Sequence, residues 1–311
     1  MTREALLFYS QYDDPSAWRS ALKAELPDVE FRVAPDIGDP SDVRYVLAWK
    51  PPAGFFARFP NLALVVNLGA GVDSLVGRDD LPDVPIARLS DTGMVQLMTS
   101  YVLFAVIRHA RDIGAFAEAQ RRRQWHYIHP RPLGSFRVGV LGLGVLGGAA
   151  AEALVRVGFD VRGWSRGPKS IPGVRCISGP EALDGFLAET DILVILLPLT
   201  SETRGLMDRR RLALLPRGAR LVNAARGALI DEAALIEALR SGAIAEATLD
   251  AFAVEPLPPE HPLWGMENVL ITPHLASITV PEDAARDVAE SIRRVRSGGA
   301  PLHRIDPRRG Y

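Results

Sequence analysis

Beyond residue 135, strand-like and helix-like hydrophobic patterns alternate regularly along the chain. Apolar runs over 136–141, 161–164 and 191–197 have the lengths of buried strands, with helix-like segments such as 145–157 between them. Alternation of this kind is typical of a parallel sheet with helices on both faces. It predicts a doubly wound α/β domain. Further strands are expected at 221–223, 248–250 and 269–272.

The preceding part of the chain repeats the alternation in a smaller form and predicts a flavodoxin-like α/β domain. The expected strands are 4–9, 29–33, 45–49 and 64–67, and the expected helices are 15–26 and 55–59. The segment after 276 carries one amphipathic helix, 281–296, and no sheet of its own, so we expect it to pack onto the first domain. The predicted fold has two Rossmann-like domains, with an active-site cleft between them. Their bounds are 1–92 plus 276–311 for the substrate domain and 93–275 for the dinucleotide-binding domain.

A helical pattern over 93–124 links the two predicted domains. Residues 94–107 within it are apolar on nearly every side, and such a helix must be buried on every side. A central position between domains would satisfy this requirement alone. A subunit interface over the outer face is favoured, so the sequence predicts a homodimer.

Composition limits the partners. The 36 basic and 37 acidic residues give a net charge of −1, which favours neither nucleic acid nor an anionic membrane as the main partner. Cys176 is the single cysteine, in keeping with a reducing cytoplasm. The first residues read as a strand and not as a signal peptide. The apolar stretch 101–107 is far shorter than the ~20 residues of a membrane span, so we expect a soluble protein.

Three glycines in a G-x-G-x-x-G arrangement follow the predicted strand at 136–141 and open the next helix. Gly142 would make the tight turn, Gly144 would let the backbone approach a pyrophosphate, and Gly147 would let helix and strand pack closely. The helix N-terminus adds unpaired N–H groups for phosphate oxygens. A glycine triplet alone also fits an ordinary turn, but its place between a strand and a helix predicts dinucleotide binding.

The tip of the following strand indicates which dinucleotide is bound. NAD sites usually place an acidic residue there to accept hydrogen bonds from the ribose, but Asp160 lies at the opposite end of this strand. The tip instead carries Ser165 and Arg166, with Lys169 close behind. A solvated basic loop is one interpretation. A cradle for a 2′-phosphate is the favoured one, so we predict a preference for NADP(H), with NAD(H) as a possible alternative.

Three groups suited to carbonyl reduction stand at predicted strand ends in the second domain. Arg226 could polarise a ketone and bind a carboxylate through its planar fork. His274 could give the carbonyl oxygen its proton, provided that a carboxylate such as Glu255 keeps the ring protonated. Each residue alone would more often be structural than catalytic. Together, and after a nucleotide-binding motif, they predict a catalytic group.

Five segments in this order resemble the D-isomer-specific 2-hydroxyacid dehydrogenase family. They are GLGVLG at 142–147, LLPLTSET at 196–203, NAARG at 223–227, DAFAVEP at 250–256 and TPH at 272–274. Within the family the chain is most similar to the glyoxylate/hydroxypyruvate reductase A subgroup. That similarity rests on LGAGVDS at 68–74, DTGM at 91–94, GWSR at 163–166 and IDPRRGY at 305–311. The resemblance spans nearly the whole chain.

This resemblance implies an NADPH-dependent reductase that converts glyoxylate to glycolate and hydroxypyruvate to D-glycerate. It assigns Arg226 as substrate anchor, His274 as proton donor and Glu255 as the partner of His274. It also implies that the backbone at Ala70, Gly71 and Val72 binds the substrate carboxylate. Trp49 would either wall the substrate pocket or serve as a packing residue. Further cofactor contacts are implied at Val145, Leu146, Leu197, Pro198, Thr203, Ala224 and Asp250.

Two other functions remain open. The first is a D-2-hydroxyacid dehydrogenase for a larger or phosphorylated 2-oxo acid; the segment 69–74 contains no extra cation for a phosphate, which argues against the phosphorylated kind. The second is a catalytically silent NAD(P)H-binding sensor, although such a protein would not need the three catalytic groups together. His126 and His129 could ligate a metal, but no third ligand is in register, so we expect a surface loop and no metal site.

Overall fold

The computed structural model describes residues 4–81 and 83–306. They form two compact units. Unit 1 contains the described residues up to Met94 and those from Ile278 onward, and unit 2 is Val95–Ser277. No helix in the described part of the chain is long and apolar enough to cross a membrane.

The strands are β1 (Ala5–Tyr9), β2 (Glu30–Val33), β3 (Val43–Ala48), β4 (Leu64–Asn67), β5 (Ile86–Arg88), β6 (Arg137–Leu141), β7 (Asp160–Ser165), β8 (Arg175–Ser178), β9 (Ile192–Ile195), β10 (Ala219–Asn223), β11 (Ile244–Leu249) and β12 (Val269–Ile271). The helices are α1 (Pro15–Glu25), α2 (Thr92–Ala110), α3 (Ile113–Arg121), α4 (Val145–Val157), α5 (Leu183–Ala188), α6 (Arg209–Leu212), α7 (Glu232–Arg240) and α8 (Pro281–Arg296).

Unit 1 is built on a parallel sheet with the strand order β2-β1-β3-β4-β5. This is the flavodoxin-like order, which confirms the predicted fold of this part of the chain. Helix α1 is capped at its N-terminus by Asp14, whose carboxylate accepts from the N–H of Ser16. It packs against α8, which covers the predicted residues 281–296, and together with the sheet they bury Trp18 and Ile292.

Unit 2 is built on a parallel sheet with the order β12-β11-β10-β9-β6-β7-β8. The order reverses between β6 and β9, as in a doubly wound sheet, which confirms the predicted fold class. In such sheets ligands bind outside the carboxyl ends of the strands at the reversal point. The carboxyl ends of β6 and β9 therefore mark where a ligand is expected.

The single helix expected over 93–124 is wrong, because the chain forms α2 and α3 with a break between them. Asp112 at the break has a left-handed backbone, with φ of 52°. Its carboxylate accepts from Nη2 of Arg220 at 2.6 Å, so an interaction with strand β10 stabilises the break. Helix α2 is also not buried on every side within one chain, since Phe104 is 53% exposed.

Two strands have no counterpart in the sequence prediction. Strand β5 has three residues, and β8 (Arg-Cys-Ile-Ser) lacks the alternation of a half-buried strand. Both form because a neighbouring strand offers a free edge, β4 for the first and β7 for the second. The helix expected at 55–59 is only a 3₁₀ turn, Phe56–Arg58.

Candidate active site

The predicted glycine-rich turn connects β6 to α4. Gly142 has φ of 113°, and a Cβ on Gly147 would lie 1.8 Å from the carbonyl oxygen of Gly142, so both positions require glycine. A Cβ on Gly144 would meet nothing within 4 Å, which leaves open space directly before the first turn of α4. Val145 and Leu146 form that first turn. The turn therefore fits a pyrophosphate bound by backbone N–H groups.

The other residues predicted to contact the cofactor lie at or just after the carboxyl ends of β7, β9, β10 and β11. Strands β7 and β9 pair directly with β6. Leu197 and Pro198 follow β9, and Ala224 follows β10. Oγ1 of Thr203 donates to the carbonyl of Pro198 at 2.7 Å. This hydrogen bond closes the loop that runs from Pro198 to Thr203. The structure therefore places these residues at one edge of the sheet.

The tip of β7 lies beside the glycine turn, since the N–H of Gly142 donates to the carbonyl of Trp164. Ser165 is buried, and its hydroxyl donates to the carbonyl of Gly167. Arg166 and Lys169 are exposed. Arg166 forms an ion pair at 3.0 Å with Glu202, an acidic residue 36 positions away in the chain that no local sequence pattern connects with this position. Arg166, one of the basic groups predicted to bind a 2′-phosphate, is therefore paired with a carboxylate in this structure.

Arg226 follows β10 in a turn that Asn223 stabilises. The side chain of Asn223 is buried; its Nδ2 donates to the carbonyl of Arg226 at 3.1 Å, and its Oδ1 accepts from the N–H of Ala225. A Cβ on Gly227 would lie 2.0 Å from the backbone carbon of Phe252, so only glycine lets this turn approach the segment after β11. No local sequence pattern marks Asn223 as the residue that positions Arg226.

His274 and Glu255 form a direct pair. Both carboxylate oxygens of Glu255 lie 2.9 Å from Nδ1 of His274, and Oε1 also accepts from the N–H of Phe252. Because an ionised carboxylate only accepts hydrogen bonds, the proton on this side of the ring belongs to Nδ1. Nε2 is then the nitrogen that can face a substrate. Arg226, Glu255 and His274 follow β10, β11 and β12, three adjacent strands, so they share one edge of the sheet.

Asp250 is 1% exposed and lies at the end of β11. Its Oδ1 accepts from the hydroxyl of Thr272 and from the N–H of Leu275, and its Oδ2 accepts from the N–H of Ala276. These bonds stabilise the turn that carries His274. The structure therefore shows a structural task for Asp250, and its predicted contact with the cofactor stays a prediction.

In unit 1, the loop after β4 is held by Asn67, which is fully buried. Its Nδ2 donates at 2.8 Å to the carbonyl oxygens of Gly69 and Gly71. Within the described residues, the N–H groups of Ala70, Gly71 and Val72 meet no acceptor. A Cβ on Gly69 would lie 2.8 Å from the ring of Trp49, so this ring packs against the loop. The arrangement suits an anion bound by backbone N–H groups.

A cation reaches this loop from another strand. Arg88 ends β5, and its Nη1 lies 3.4 Å from the carbonyl oxygen of Ala70. Burial lowers the pKa of the Arg88 guanidinium. The segment 69–74 contains no cation of its own, but the sheet brings Arg88, 18 positions from Ala70 in the chain, to this loop.

His126 and His129 lie on an exposed segment. The described residues contain no group of three side chains able to hold a metal ion. The last five residues of the segment 305–311 lie outside the described part of the chain.

A family model, relatives of known name and solved structures all match this chain. Residues 103–276 match a family model described as the NAD binding domain of D-isomer specific 2-hydroxyacid dehydrogenases. Glyoxylate/hydroxypyruvate reductase A of Serratia proteamaculans is 39% identical over 98% of this chain and 99% of that protein.

Two solved structures are similar over nearly the full chain. A D-isomer specific 2-hydroxyacid dehydrogenase of Xanthobacter autotrophicus, in complex with NADPH, is 62% identical with a TM-score of 0.96, covering 99% of this chain and 100% of that one. An NADPH-dependent glyoxylate/hydroxypyruvate reductase of Sinorhizobium meliloti, in complex with NADP, is 34% identical with a TM-score of 0.94 at the same coverage.

Proposed function

Because the chain belongs to the D-isomer specific 2-hydroxyacid dehydrogenase family, we propose that it reduces glyoxylate to glycolate and hydroxypyruvate to D-glycerate with NADPH. One observation carries the proposal: Nδ1 of His274 lies 2.9 Å from both oxygens of Glu255, on the sheet edge that also bears Arg226. A sensor that only binds the nucleotide would not need an oriented proton donor. The reductase named above from Sinorhizobium meliloti supports the choice of substrates.

In the proposed reaction a hydride adds to the carbonyl carbon and a proton adds to its oxygen. NADPH, when bound, supplies the hydride. His274 gives the proton from Nε2, while Glu255 keeps Nδ1 protonated and the ring oriented. The guanidinium of Arg226 polarises the carbonyl and pairs with the substrate carboxylate. The N–H groups of Ala70, Gly71 and Val72 bind the same carboxylate, and Trp49, packed on that loop, limits the size of the substrate.

The proposed cofactor site begins at the glycine turn, where Gly142, Gly144 and Gly147 shape the backbone around the pyrophosphate. Ser165, Arg166 and Lys169 bind the 2′-phosphate, which gives NADPH its advantage over NADH. The remaining contacts are proposed at Val145, Leu146, Leu197, Pro198, Thr203, Ala224 and Asp250. The position of these residues around the carboxyl ends of β6, β7, β9, β10 and β11 supports the proposal.

We further propose that the protein is a homodimer. Helices α2 and α3 expose four large apolar side chains within the single chain. They are Phe104, Ile107, Ile113 and Phe116. A second copy that covers this surface would account for the apolar composition of α2. The single cysteine, which cannot form an internal disulfide, supports a cytoplasmic location.

Arg88 favours one alternative, a reductase for a larger anionic 2-oxo acid. Its guanidinium lies beside the loop proposed to bind the carboxylate and could pair with a second anionic group. The competing substrates are therefore phosphorylated or dicarboxylic oxo acids.

The test is a set of initial rates of NADPH and NADH oxidation with glyoxylate, hydroxypyruvate, phenylpyruvate, oxaloacetate and phosphohydroxypyruvate. We expect the highest kcat/KM with the first two substrates and with NADPH. A clear preference for the phosphorylated or dicarboxylic acid would favour the alternative. Tight NADPH binding without turnover of any oxo acid would contradict the proposed activity and favour a sensor.

A further inference from the structure

A tyrosine on helix α2 reaches the turn that carries His274. The hydroxyl of Tyr101 lies 2.6 Å from Oγ1 of Thr272, and Oγ1 of Thr272 lies 2.6 Å from Oδ1 of Asp250. We propose that Tyr101 is a positioning residue for the proton donor, acting on His274 through Thr272 and Asp250. The inference rests on the proposed function, in which His274 protonates the carbonyl oxygen.

The direction of the two hydrogen bonds follows from their chemistry. An ionised carboxylate can only accept, so the single hydroxyl proton of Thr272 is donated to Asp250. Thr272 must then accept from Tyr101, whose hydroxyl is the donor. Burial is the main cause that raises the pKa of Tyr101 to about 12, so this hydroxyl keeps its proton at neutral pH. The chain from Tyr101 to Thr272 to Asp250 therefore has one fixed direction.

Asp250 in turn accepts hydrogen bonds from the backbone N–H groups of His274 and of the two residues that follow it. Its carbonyl oxygen accepts from the N–H of His274 at 2.9 Å, and its carboxylate accepts from the N–H groups of Leu275 and Ala276. His274 has φ of 55°, a conformation that a residue with a side chain rarely adopts without such restraints. The rotamer of the Asp250 carboxylate therefore helps to set the direction in which the imidazole leaves the backbone.

The hydroxyl of Tyr101 matters more than its ring in this arrangement. The ring belongs to the apolar cluster that contains Val102 and Val138, where a phenylalanine would pack equally well. Removing the hydroxyl leaves Thr272 without its donor and loosens the hydrogen bond through which Thr272 helps to restrain Asp250. A small displacement of a proton donor is enough to slow proton transfer strongly.

The variant that tests this inference is Tyr101→Phe. We expect kcat for oxo-acid reduction to fall about tenfold, with the KM for NADPH changed by less than about twofold. The solvent deuterium isotope effect on kcat should increase, because proton transfer becomes more rate-limiting. Thr272→Val should reproduce both changes, and Thr272→Ser, which keeps the hydroxyl, should restore most of the rate.

Tyr45→Phe is the matched control. Tyr45 is also buried, and its hydroxyl lies 3.0 Å from a carboxylate oxygen of Glu4 in unit 1. Both tyrosine variants should lower the thermal unfolding midpoint, but only Tyr101→Phe should change kcat and the isotope effect. Equal losses of kcat in both variants, or unchanged kcat in Tyr101→Phe, would overturn the inference.

A second measurement does not depend on turnover. In ¹⁵N-labelled protein, the imidazole resonances of His274, assigned by their loss in His274→Ala, should shift in Tyr101→Phe and not in Tyr45→Phe. Unchanged His274 resonances in Tyr101→Phe would contradict the inference even if the enzyme were active. A wild-type protein that reduces no oxo acid would instead contradict the proposed function, and the resonances would still test the contact.

Discussion

At the scale of single residues, His274 differs from an ordinary surface histidine because it is restrained at two places. The carboxylate of Glu255 restrains the ring, and the backbone carbonyl of Asp250 restrains the backbone. Glu255 binds the ring through Nδ1, and the carbonyl of Asp250 binds the backbone N–H. The ring and the backbone are thus fixed independently. A side chain held in this way is suited to deliver a proton in one direction.

Replacing His274 with Ala should remove the proposed proton donor. We expect turnover to fall about 10²–10⁴-fold, while NADPH binding stays close to that of the wild type. The readouts are kcat from steady-state rates and the Kd for NADPH from fluorescence titration. His129→Ala, on an exposed segment, is the control and should retain full activity. Near-native turnover in His274→Ala would show that another group protonates the substrate.

Arg166 and Glu202 offer a second test at this scale. If Arg166 binds the 2′-phosphate, Arg166→Ala should raise the KM for NADPH about ten- to a hundredfold and leave that for NADH nearly unchanged. Glu202→Gln should lower the KM for NADPH by at most about fivefold, because the partner of Arg166 is an exposed carboxylate that also repels the phosphate. Arg175→Ala, which removes an exposed arginine of the same unit, is the control. Equal changes for both cofactors would contradict the phosphate contact.

At the scale of elements, the end of α2 is tied to the sheet by buried polar groups. His109 is fully buried, with Nε2 3.1 Å from Oγ1 of Thr248 and Nδ1 3.3 Å from Glu246. Arg108 also pairs with Glu246 at 2.9 Å. Burial lowers the pKa of His109 below its ordinary value of 6.5. The folded protein therefore holds this imidazole neutral at pH values where the unfolded chain would protonate it.

This difference predicts a pH dependence of stability. Below about pH 6.5 the unfolded chain binds a proton at His109 that the folded protein excludes, so the free energy of unfolding should fall as the pH drops, by up to about 1.4 kcal/mol per pH unit. His109→Gln has no titrating group at this position and should show a flatter dependence. The measurement is the urea unfolding midpoint of both proteins between about pH 5 and pH 7. Parallel curves would show that His109 does not cause the dependence.

At the scale of the whole molecule, the exposed apolar side chains of α2 and α3 concern assembly. Phe104→Glu places a charge on the proposed subunit interface, where it would be desolvated without a partner. We expect the wild type to sediment as a dimer and this variant as a monomer. Tyr12→Glu, at another exposed aromatic position, should remain a dimer. A monomeric wild-type protein, or a dimeric Phe104→Glu variant, would contradict the proposed interface.

The order of strands and helices was largely predictable because each element carries its own hydrophobic period. The bounds of α4 and α8 follow from local signals, including Gly158 after α4 with φ of 103°. The glycine turn, Arg226, Glu255 and His274 were also recognisable, since each stands at a strand end beside a local motif. Such information lies within a few residues of each position and needs no knowledge of packing.

Contacts between distant residues were decided only by tertiary structure. Tyr101 and Thr272 are 171 positions apart, and the sequence around either residue does not indicate that the other is its hydrogen-bond partner. The break at Asp112 depends on Arg220, and the approach of Arg88 to Ala70 depends on the pairing of β4 with β5. The hydrophobic period along a helix or strand indicates which side of that element is buried. It does not report which element covers that side, because that choice depends on packing between segments far apart in the chain.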